Sequence, residues 1–364
     1  MAKVRDVFLG GNTCYGFYSF YDYIVSPDVI RKYVLKGGPG VGKSVLMKKI
    51  GAEFAARGYD IEYHWCSSDN NSLDGVVIGN NKICLVDGTA PHIIDPKFPA
   101  AVDQIINLGQ FWHQESIMSS RGSIISLTSN ISTCFERAYL RLREANCAYD
   151  ELKSYYEEAG DVTAIKRNIT ALGEDFLQNA TKMTGSIRHL FPGAITPEGL
   201  VTKLASIIDK NMSLFTVKGS PGSGVKSLFK HVVHLLEVNA INAEVYHNPF
   251  NPEEVDAILI PETKAVLIDL SDFFFDYSAE IPGNKYKRQL DFNKFIDDSI
   301  LDTYAKNIDS AQNRIELGIK EAVSFITKAK GLHDELESYY TPAMDYEAID
   351  SYRQELIAEI TELL

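Results

Sequence analysis

The sequence predicts an α/β protein built from two tandem copies of one domain, in which a parallel β-sheet is flanked by α-helices. Three observations carry this prediction. A glycine-rich loop lies between a strand pattern and a helix pattern, further strands follow in alternation with helices, and the whole arrangement recurs in the second half of the 364-residue chain. Alternation of strands and helices along a chain is typical of a parallel sheet.

The glycine-rich loop fits the pattern G-x-x-x-x-G-K-[ST] at each fixed position. Its eight residues are consecutive: Gly37, Gly38, Pro39, Gly40, Val41, Gly42, Lys43 and Ser44. The apolar residues 33–35 before it predict a buried strand, and apolar residues at helical spacing after it predict a helix. Glycines let backbone N–H groups surround an anion, and a helix N-terminus adds partial positive charge. The loop is therefore predicted to bind phosphate, with Lys43 reaching the β- and γ-phosphates and Ser44 binding Mg²⁺.

A second chemical signal follows the apolar run 83–86, which ends in Asp87. A strand of this kind brings its terminal carboxylate beside the phosphate loop, where it holds Mg²⁺ directly or through water. Many ATP-hydrolysing proteins carry a glutamate at the next position, but this chain has Gly88. His92, in the loop after the strand, is a candidate catalytic base, and the alternative is a histidine that only structures that loop.

The chain repeats itself at a shift of 182 residues, half of its length. Residues 218–224 are a second copy of residues 36–42. The same shift pairs further residues along both halves: Leu46 with Leu228, Asp74 with Asp256, Ile78 with Ile260 and Asp87 with Asp269. Such matches at one shift indicate duplication, so we predict two domains, residues 1–186 and residues 187–364.

The second loop departs from the pattern, because Val225 stands opposite Lys43 and Lys226 opposite Ser44. A shift by one residue would let Lys226 and Ser227 serve, but the extra residue would aim the ammonium away from the helix N-terminus. We expect weak or absent nucleotide binding there. The alternatives are a loop kept only because its turn packs the domain and a loop with residual binding.

The pattern becomes helical from about residue 115 onward and again in the second half. Breaks at Gly160-Asp161 and Thr341-Pro342 divide each helical region into two helices, so each domain is predicted to carry a long helical hairpin. The apolar stripes of these helices fit a core within each domain or a pairing between the two halves. A protein partner bound through the helices is a further possibility.

Composition narrows the class of protein. A net charge of −13 and a pI near 5.1 argue against broad binding to nucleic acid or to anionic membranes. Five cysteines without metal-ligand spacing favour free thiols in a reducing compartment. The sequence shows neither a signal peptide nor a membrane-spanning apolar run, and we expect a cytosolic protein.

With both loops and the paired aspartates identified, residues 87–92 and 193–197 complete a resemblance over the full length of the chain. The chain resembles a little-characterised family of bacterial tandem P-loop ATPase-like proteins. The resemblance implies two P-loop NTPase domains and ATP binding through residues 37–44 and Asp87, and it supplies no established substrate. Val225 departs from the family pattern and puts the second site in doubt.

Three functions fit these residues. The first is a Mg²⁺-dependent ATPase or nucleotide switch with its site in the first domain and slow turnover, because no glutamate follows Asp87. The second is a small-molecule or nucleotide kinase that uses Asp69, Asp74 or His92 near its acceptor. The third is a nucleotide-sensing module that does not hydrolyse ATP. ATP is expected by default, since no guanine-reading N-K-x-D motif is visible, and arginine fingers such as Arg121 or Arg288 are not singled out.

Overall fold

The structure is a computed structural model that describes residues 2–90, 93–182, 184–281 and 285–364. The chain forms two compact units, and neither is continuous in sequence. The first contains the residues up to Gly10, Ser19–Arg137 and Ser324–Leu364, and the second contains Gly11–Tyr18 and Ala138–Val323. Each unit holds one six-stranded sheet with helices packed on it.

The same order of elements occurs in both halves of the chain. The strands of the first half are β1 (Val4–Phe8), β2 (Gly10–Thr13), β3 (Gly16–Ser19), β4 (Arg31–Lys36), β5 (Ile61–Trp65), β6 (Leu73–Ile78), β7 (Ile83–Asp87) and β8 (Asp103–Asn107). Its helices are α1 (Lys43–Ala56), α2 (Gln114–Ser119), α3 (Arg121–Ala159) and α4 (Val162–Leu177). The strands of the second half are β9 (Ile187–Leu190), β10 (Gly193–Thr196), β11 (Gly199–Thr202), β12 (Ser213–Lys218), β13 (Ala243–His247), β14 (Val255–Ile260), β15 (Ala265–Asp269) and β16 (Lys285–Asp291). Its helices are α5 (Leu204–Ile207), α6 (Val225–Val238), α7 (Asp298–Tyr340) and α8 (Tyr346–Leu363).

The two large sheets have matching strand orders, β1-β5-β6-β7-β4-β8 in the first unit and β9-β13-β14-β15-β12-β16 in the second. The short strands β2 with β3, and β10 with β11, form two separate two-stranded sheets. In both large sheets the strand that precedes the glycine-rich loop lies parallel to the strand that ends in an aspartate. The repeat seen in the sequence is thus a repeat of structure.

Both sheets are mixed, so the prediction of a parallel sheet is wrong for one strand in each. β6 runs antiparallel to β5 and to β7, and β14 does the same in the second sheet. All six residues of β6 are buried, as in a strand of a parallel sheet. Its short connections decide the direction, because a parallel connection needs a dozen or more residues. The turn into β7 uses Gly79, Asn80 and Asn81, all at positive φ.

The last helix of the chain packs on the first sheet. Ile349, Leu356 and Ile360 of α8 are buried in one cluster with Met47 and Ile50 of α1. Burying each such side chain stabilises the fold by about 1.5–3 kcal/mol. The first unit therefore depends on residues from the far end of the sequence.

The second unit makes the reciprocal arrangement with α4, the last helix of the first half. Ile169, Leu172 and Phe176 are buried with Leu228 and Val232 of α6. The predicted helical hairpins are thus replaced by consecutive helices, of which the second packs on the sheet formed by the other half. The apolar stripes were expected to form a core within each domain or to pair the two halves. For α4 and α8 the structure shows packing between the halves.

The predicted domains, residues 1–186 and 187–364, each contain one complete large sheet, whereas the compact units exchange helices. All five cysteines are free thiols, and four are buried while Cys147 is exposed. Among the described residues no helix combines the length and apolar character needed to cross a membrane.

A pair of histidines in the second unit predicts an acid-sensitive fold. His247 Nδ1 lies 2.6 Å from the carbonyl oxygen of Pro252, which only accepts, so this nitrogen donates. Its Nε2 then accepts from His189 Nδ1 at 2.7 Å. Burial, and then the charge of His189, lower the pKa of His247 from 6.5 to about 4.

A base whose pKa is lower in the folded state is stabilising above its unfolded pKa and loses that stability as the pH falls toward its folded pKa. We expect the free energy of unfolding to fall by about 2 kcal/mol more between about pH 7.5 and 5 in the wild type than in His247→Asn. Urea denaturation at both pH values measures this difference. Equal losses in the two proteins would contradict it.

Candidate functional site

The glycine-rich loop of the first unit connects β4 to α1 as a strand, turn and helix. Gly40 and Gly42 adopt positive φ values of 68° and 87°, and Gly42 is the N-cap of α1. Side chains at these positions would strain the backbone. A Cβ on Gly37 would also lie 2.8 Å from Val41 Cγ2. The glycines thus allow a tight loop ahead of the helix N-terminus, where partial positive charge favours anions.

Lys43 is folded back over this loop. Its Nζ donates to the carbonyl oxygens of Gly37 at 2.8 Å and Gly38 at 3.0 Å, and it lies 3.6 Å from Asp87 Oδ2. Thr89 Oγ1 donates to the carbonyl of Gly37 at 3.1 Å. The ammonium is thus held beside the loop by neutral acceptors that an anion could replace.

Asp87 ends β7, which lies next to β4, so its carboxylate is brought beside the loop by the sheet. Its Oδ1 accepts from the N–H of Thr89 at 2.8 Å. Burial raises the pKa of Asp87, the nearby ammonium of Lys43 opposes this rise, and the charge of Asp74 adds to it. Burial therefore makes the ionised form of Asp87 costly, and a cation beside the carboxylate would reduce that cost.

Ser44 contacts the beginning of β6, where its Oγ accepts from the N–H of Leu73 at 3.0 Å. Asp74, which follows Leu73, is only 4% exposed and accepts from Tyr21 Oη at 2.8 Å. Hydroxyl and carboxylate oxygens are the donor set that Mg²⁺ prefers.

Residues near the end of the chain cover the loop, and the sequence analysis did not find them. Glu337 Oε1 accepts from the N–H of Gly40 at 3.2 Å, and Tyr346 Oη donates to its carbonyl at 2.9 Å. A Cβ on Gly38 would lie 3.0 Å from the ring of Tyr340. The available signal was the repeated segment 334–340, whose counterpart is 150–156.

The other predicted site residues stand apart from this arrangement. His92 lies outside the described residues. Asp69 is used in a turn, where it accepts from the N–H of Asn71 and from Ser72 Oγ, both at 3.0 Å. Arg288 pairs with Asp175 of α4 in the second unit.

Arg121 is exposed at the start of α3 in the first unit. Like Arg288, it was a candidate arginine finger in the sequence. Neither is singled out by the geometry of its own unit.

The second loop keeps the backbone of the first but not its lysine. Gly222 and Gly224 have positive φ values of 87° and 113°, and α6 begins at Val225. Val225 is only 3% exposed and belongs to the core. Lys226 Nζ donates to the carboxylates of Asp256 at 2.7 Å and Asp269 at 2.8 Å.

A cavity of about 40 Å³ lies beside this second loop, enough for a few water molecules. Its walls include Lys226, Asp256 and Asp269, together with the aromatic residues 273–275. Two carboxylates beside one ammonium leave no excess positive charge for a phosphate. Weak or absent nucleotide binding at this loop stays a prediction.

The structure therefore brings together Lys43, Ser44 and Asp87 at one helix N-terminus, adds Asp74 and Glu337, and leaves Asp69 in a turn. Comparisons of the chain with protein-family models, with curated proteins and with solved structures found no match. The function is therefore argued from these residues alone.

Proposed function

We propose that the chain binds Mg²⁺-ATP in its first domain and hydrolyses it slowly, or uses it as a switch. The observation that carries the proposal is the convergence of Lys43, Ser44 and Asp87 at the N-terminus of α1. Lys43 Nζ lies within 3.0 Å of two loop carbonyls and 3.6 Å from Asp87, and Gly40 and Gly42 allow the tight turn ahead of the helix. The localisation we propose is the cytosol.

The residues would act on ATP through charge and position. Backbone N–H groups of the loop would donate to phosphate oxygens, and Lys43 would exchange its two carbonyl partners for the β- and γ-phosphates. Ser44 and Asp87 would hold Mg²⁺, which when bound neutralises charge on the phosphates. The raised pKa of Asp87 fits this role, because a divalent cation relieves the cost of its buried charge.

We expect slow turnover because Gly88, and not a glutamate, follows Asp87. Gly88 carries no side chain, and its carbonyl oxygen accepts from Lys36 Nζ at 2.8 Å. Positioning and charge neutralisation would therefore supply the rate. P-loop sites of this kind act on phosphates, and adenine is proposed only for want of a guanine-reading motif.

The test is release of phosphate from Mg²⁺-ATP by the purified protein, together with the shift of its melting temperature. We expect ATP to raise the melting temperature in the presence of Mg²⁺ and slow release of phosphate without any other substrate. Stabilisation without release would favour a kinase that awaits its acceptor or a nucleotide-sensing module. No stabilisation by ATP, GTP or their Mg²⁺ complexes would overturn the proposal.

Glu337 offers a test of the loop as an anion site. Its carboxylate already accepts from the N–H of Gly40, so it competes with phosphate for that donor. We expect Glu337→Gln to bind Mg²⁺-ATP roughly 5-fold more tightly, because a neutral acceptor holds the N–H less strongly than a charged one. Isothermal titration calorimetry measures the two affinities.

The matched control is Glu335→Gln, which removes an exposed charge from the same helix. It should leave the affinity close to that of the wild type. If both variants change the affinity equally, the effect is one of net charge and Glu337 has no special place at the loop.

A further inference from the structure

The ammonium of Lys226 lies between two buried carboxylates in the second unit. Its Nζ is 2.7 Å from Asp256 Oδ1 and 2.8 Å from Asp269 Oδ2, and these aspartates are only 2% and 6% exposed. Burial by itself lowers the pKa of Lys226, but the attraction of both carboxylates raises it well above its usual value. The lysine therefore stays charged and serves as the cation of this cluster.

The internal repeat assigns each member of the cluster a counterpart. Lys226 corresponds to Ser44, while Asp256 and Asp269 correspond to Asp74 and Asp87. The surroundings correspond as well, because Asp74 and Asp256 are each the second residue of their strand and each accepts a hydrogen bond from a tyrosine. Asp256 accepts from Tyr277 Oη at 2.8 Å, and Asp74 accepts from Tyr21 Oη at 2.8 Å.

The first unit thus has the same carboxylates without the lysine between them. Lys43, one residue earlier on its helix, is turned to the loop carbonyls and comes no closer to Asp87 than 3.6 Å. At the position of Lys226 the first unit has Ser44, whose side chain is much shorter and whose Oγ accepts from the N–H of Leu73.

We propose that the ammonium of Lys226 takes the place of the divalent cation of the first domain, so that Asp74 joins Ser44 and Asp87 in binding that cation and the second domain needs none. The ligand is a hard divalent cation such as Mg²⁺, since all the donor atoms are oxygens. The assignment of Asp74 and the comparison with the first domain rest on the proposed function, whereas the role of Lys226 as the cation between Asp256 and Asp269 does not.

The role of Lys226 is tested by Lys226→Ser, which gives the second domain the residue that the first has at this position. Binding of Mn²⁺ alone is counted by electron paramagnetic resonance. We expect the variant to bind one Mn²⁺ more per chain than the wild type. The control Lys226→Ser/Asp256→Asn lacks one carboxylate and should lose the added site. A variant that binds no additional Mn²⁺ overturns the proposal.

Stability gives a second measurement of the same variant. In metal-free buffer we expect Lys226→Ser to melt roughly 10 °C lower than the wild type, because two buried carboxylates lose their cation. Millimolar Mn²⁺ should restore much of this loss, even if the metal-free variant is largely unfolded. A lowered melting temperature that Mn²⁺ does not change also overturns the proposal.

The role of Asp74 is tested by Asp74→Asn. We expect its affinity for Mn²⁺ at the first site to fall by at least about 10-fold, since even outer-shell partners of a metal contribute that much. Unchanged affinity overturns the assignment of Asp74. A wild-type protein that binds no Mn²⁺ overturns it together with the proposed magnesium site, whereas the gain of a site in Lys226→Ser would still establish what Lys226 replaces.

Discussion

Replacement of Lys43 by alanine is expected to abolish the release of phosphate from Mg²⁺-ATP and most of the stabilisation by the nucleotide. We propose that Lys43 reaches the β- and γ-phosphates, and its ammonium is held beside the loop by two carbonyls at 2.8 Å and 3.0 Å. Removal of one preorganised donor from an anion site typically costs roughly 100- to 1000-fold in rate. Phosphate release at saturating ATP measures the loss.

The matched control for this variant is Lys49→Ala. Lys49 lies on the same helix, its side chain is 54% exposed, and it pairs at the surface with Asp350. Exposed pairs contribute about 0–1 kcal/mol, so the control should keep both activity and stability. Full ATP-dependent stabilisation of Lys43→Ala would show that the nucleotide binds somewhere other than this loop.

The residues of this site could be predicted from the sequence because most of them are close together along the chain. The loop of residues 37–44 specifies its own turn through glycines and its own helix through the apolar residues that follow. Asp87 was predicted from the apolar run before it. Sequence patterns of this kind predict local conformation. The pairing of β4 with β7 then brings the loop and Asp87 together.

Other features depend on packing that local patterns do not record. The apolar stripe of α8 shows that one face is buried, but a stripe does not name the surface that buries it, and α8 packs on the sheet of the other half. Glu337, near the end of α7, contacts Gly40 because the last part of the chain belongs to the first unit. The direction of β6 was missed because a fully buried strand has the same composition in parallel and antiparallel sheets.

The surroundings of Lys226 also combine a feature of the local sequence with contacts that depend on packing. The extra residue before Lys226 led to the expectation that its ammonium is aimed away from the helix N-terminus, and in the structure this ammonium contacts Asp256 and Asp269. Its partners, Asp256 and Asp269, follow from the antiparallel neighbour β14 and from β15, and thus from the arrangement of the sheet. Because of the repeat, the charged residues around Lys226 can be compared with those at the corresponding positions around Ser44.

The second large effect is expected from Asp87→Asn, which should stabilise the ligand-free protein and remove its response to Mg²⁺-ATP. Because burial raises the pKa of Asp87, the ionised carboxylate makes the folded state less stable at neutral pH. The amide keeps an acceptor for the N–H of Thr89 without that charge. We expect the melting temperature without ligand to rise by roughly 2–4 °C. At about 100 times its Kd, a ligand stabilises by about 2.7 kcal/mol, and the variant should lose most of this.

The opposite change is expected at the corresponding residue of the second domain, which provides the control. Asp269 is paired with Lys226 at 2.8 Å, so Asp269→Asn removes a compensating charge and should lower the melting temperature.

The gain in stability of Asp87→Asn also has a defined pH dependence. An acid with a raised folded pKa is destabilising above that pKa, and the effect disappears as the pH falls below the ordinary value of 3.8, where both states become protonated. Thermal unfolding of both variants from neutral to acidic pH therefore measures whether Asp87 is a carboxylate short of a cation. Equal destabilisation by both substitutions would contradict that conclusion.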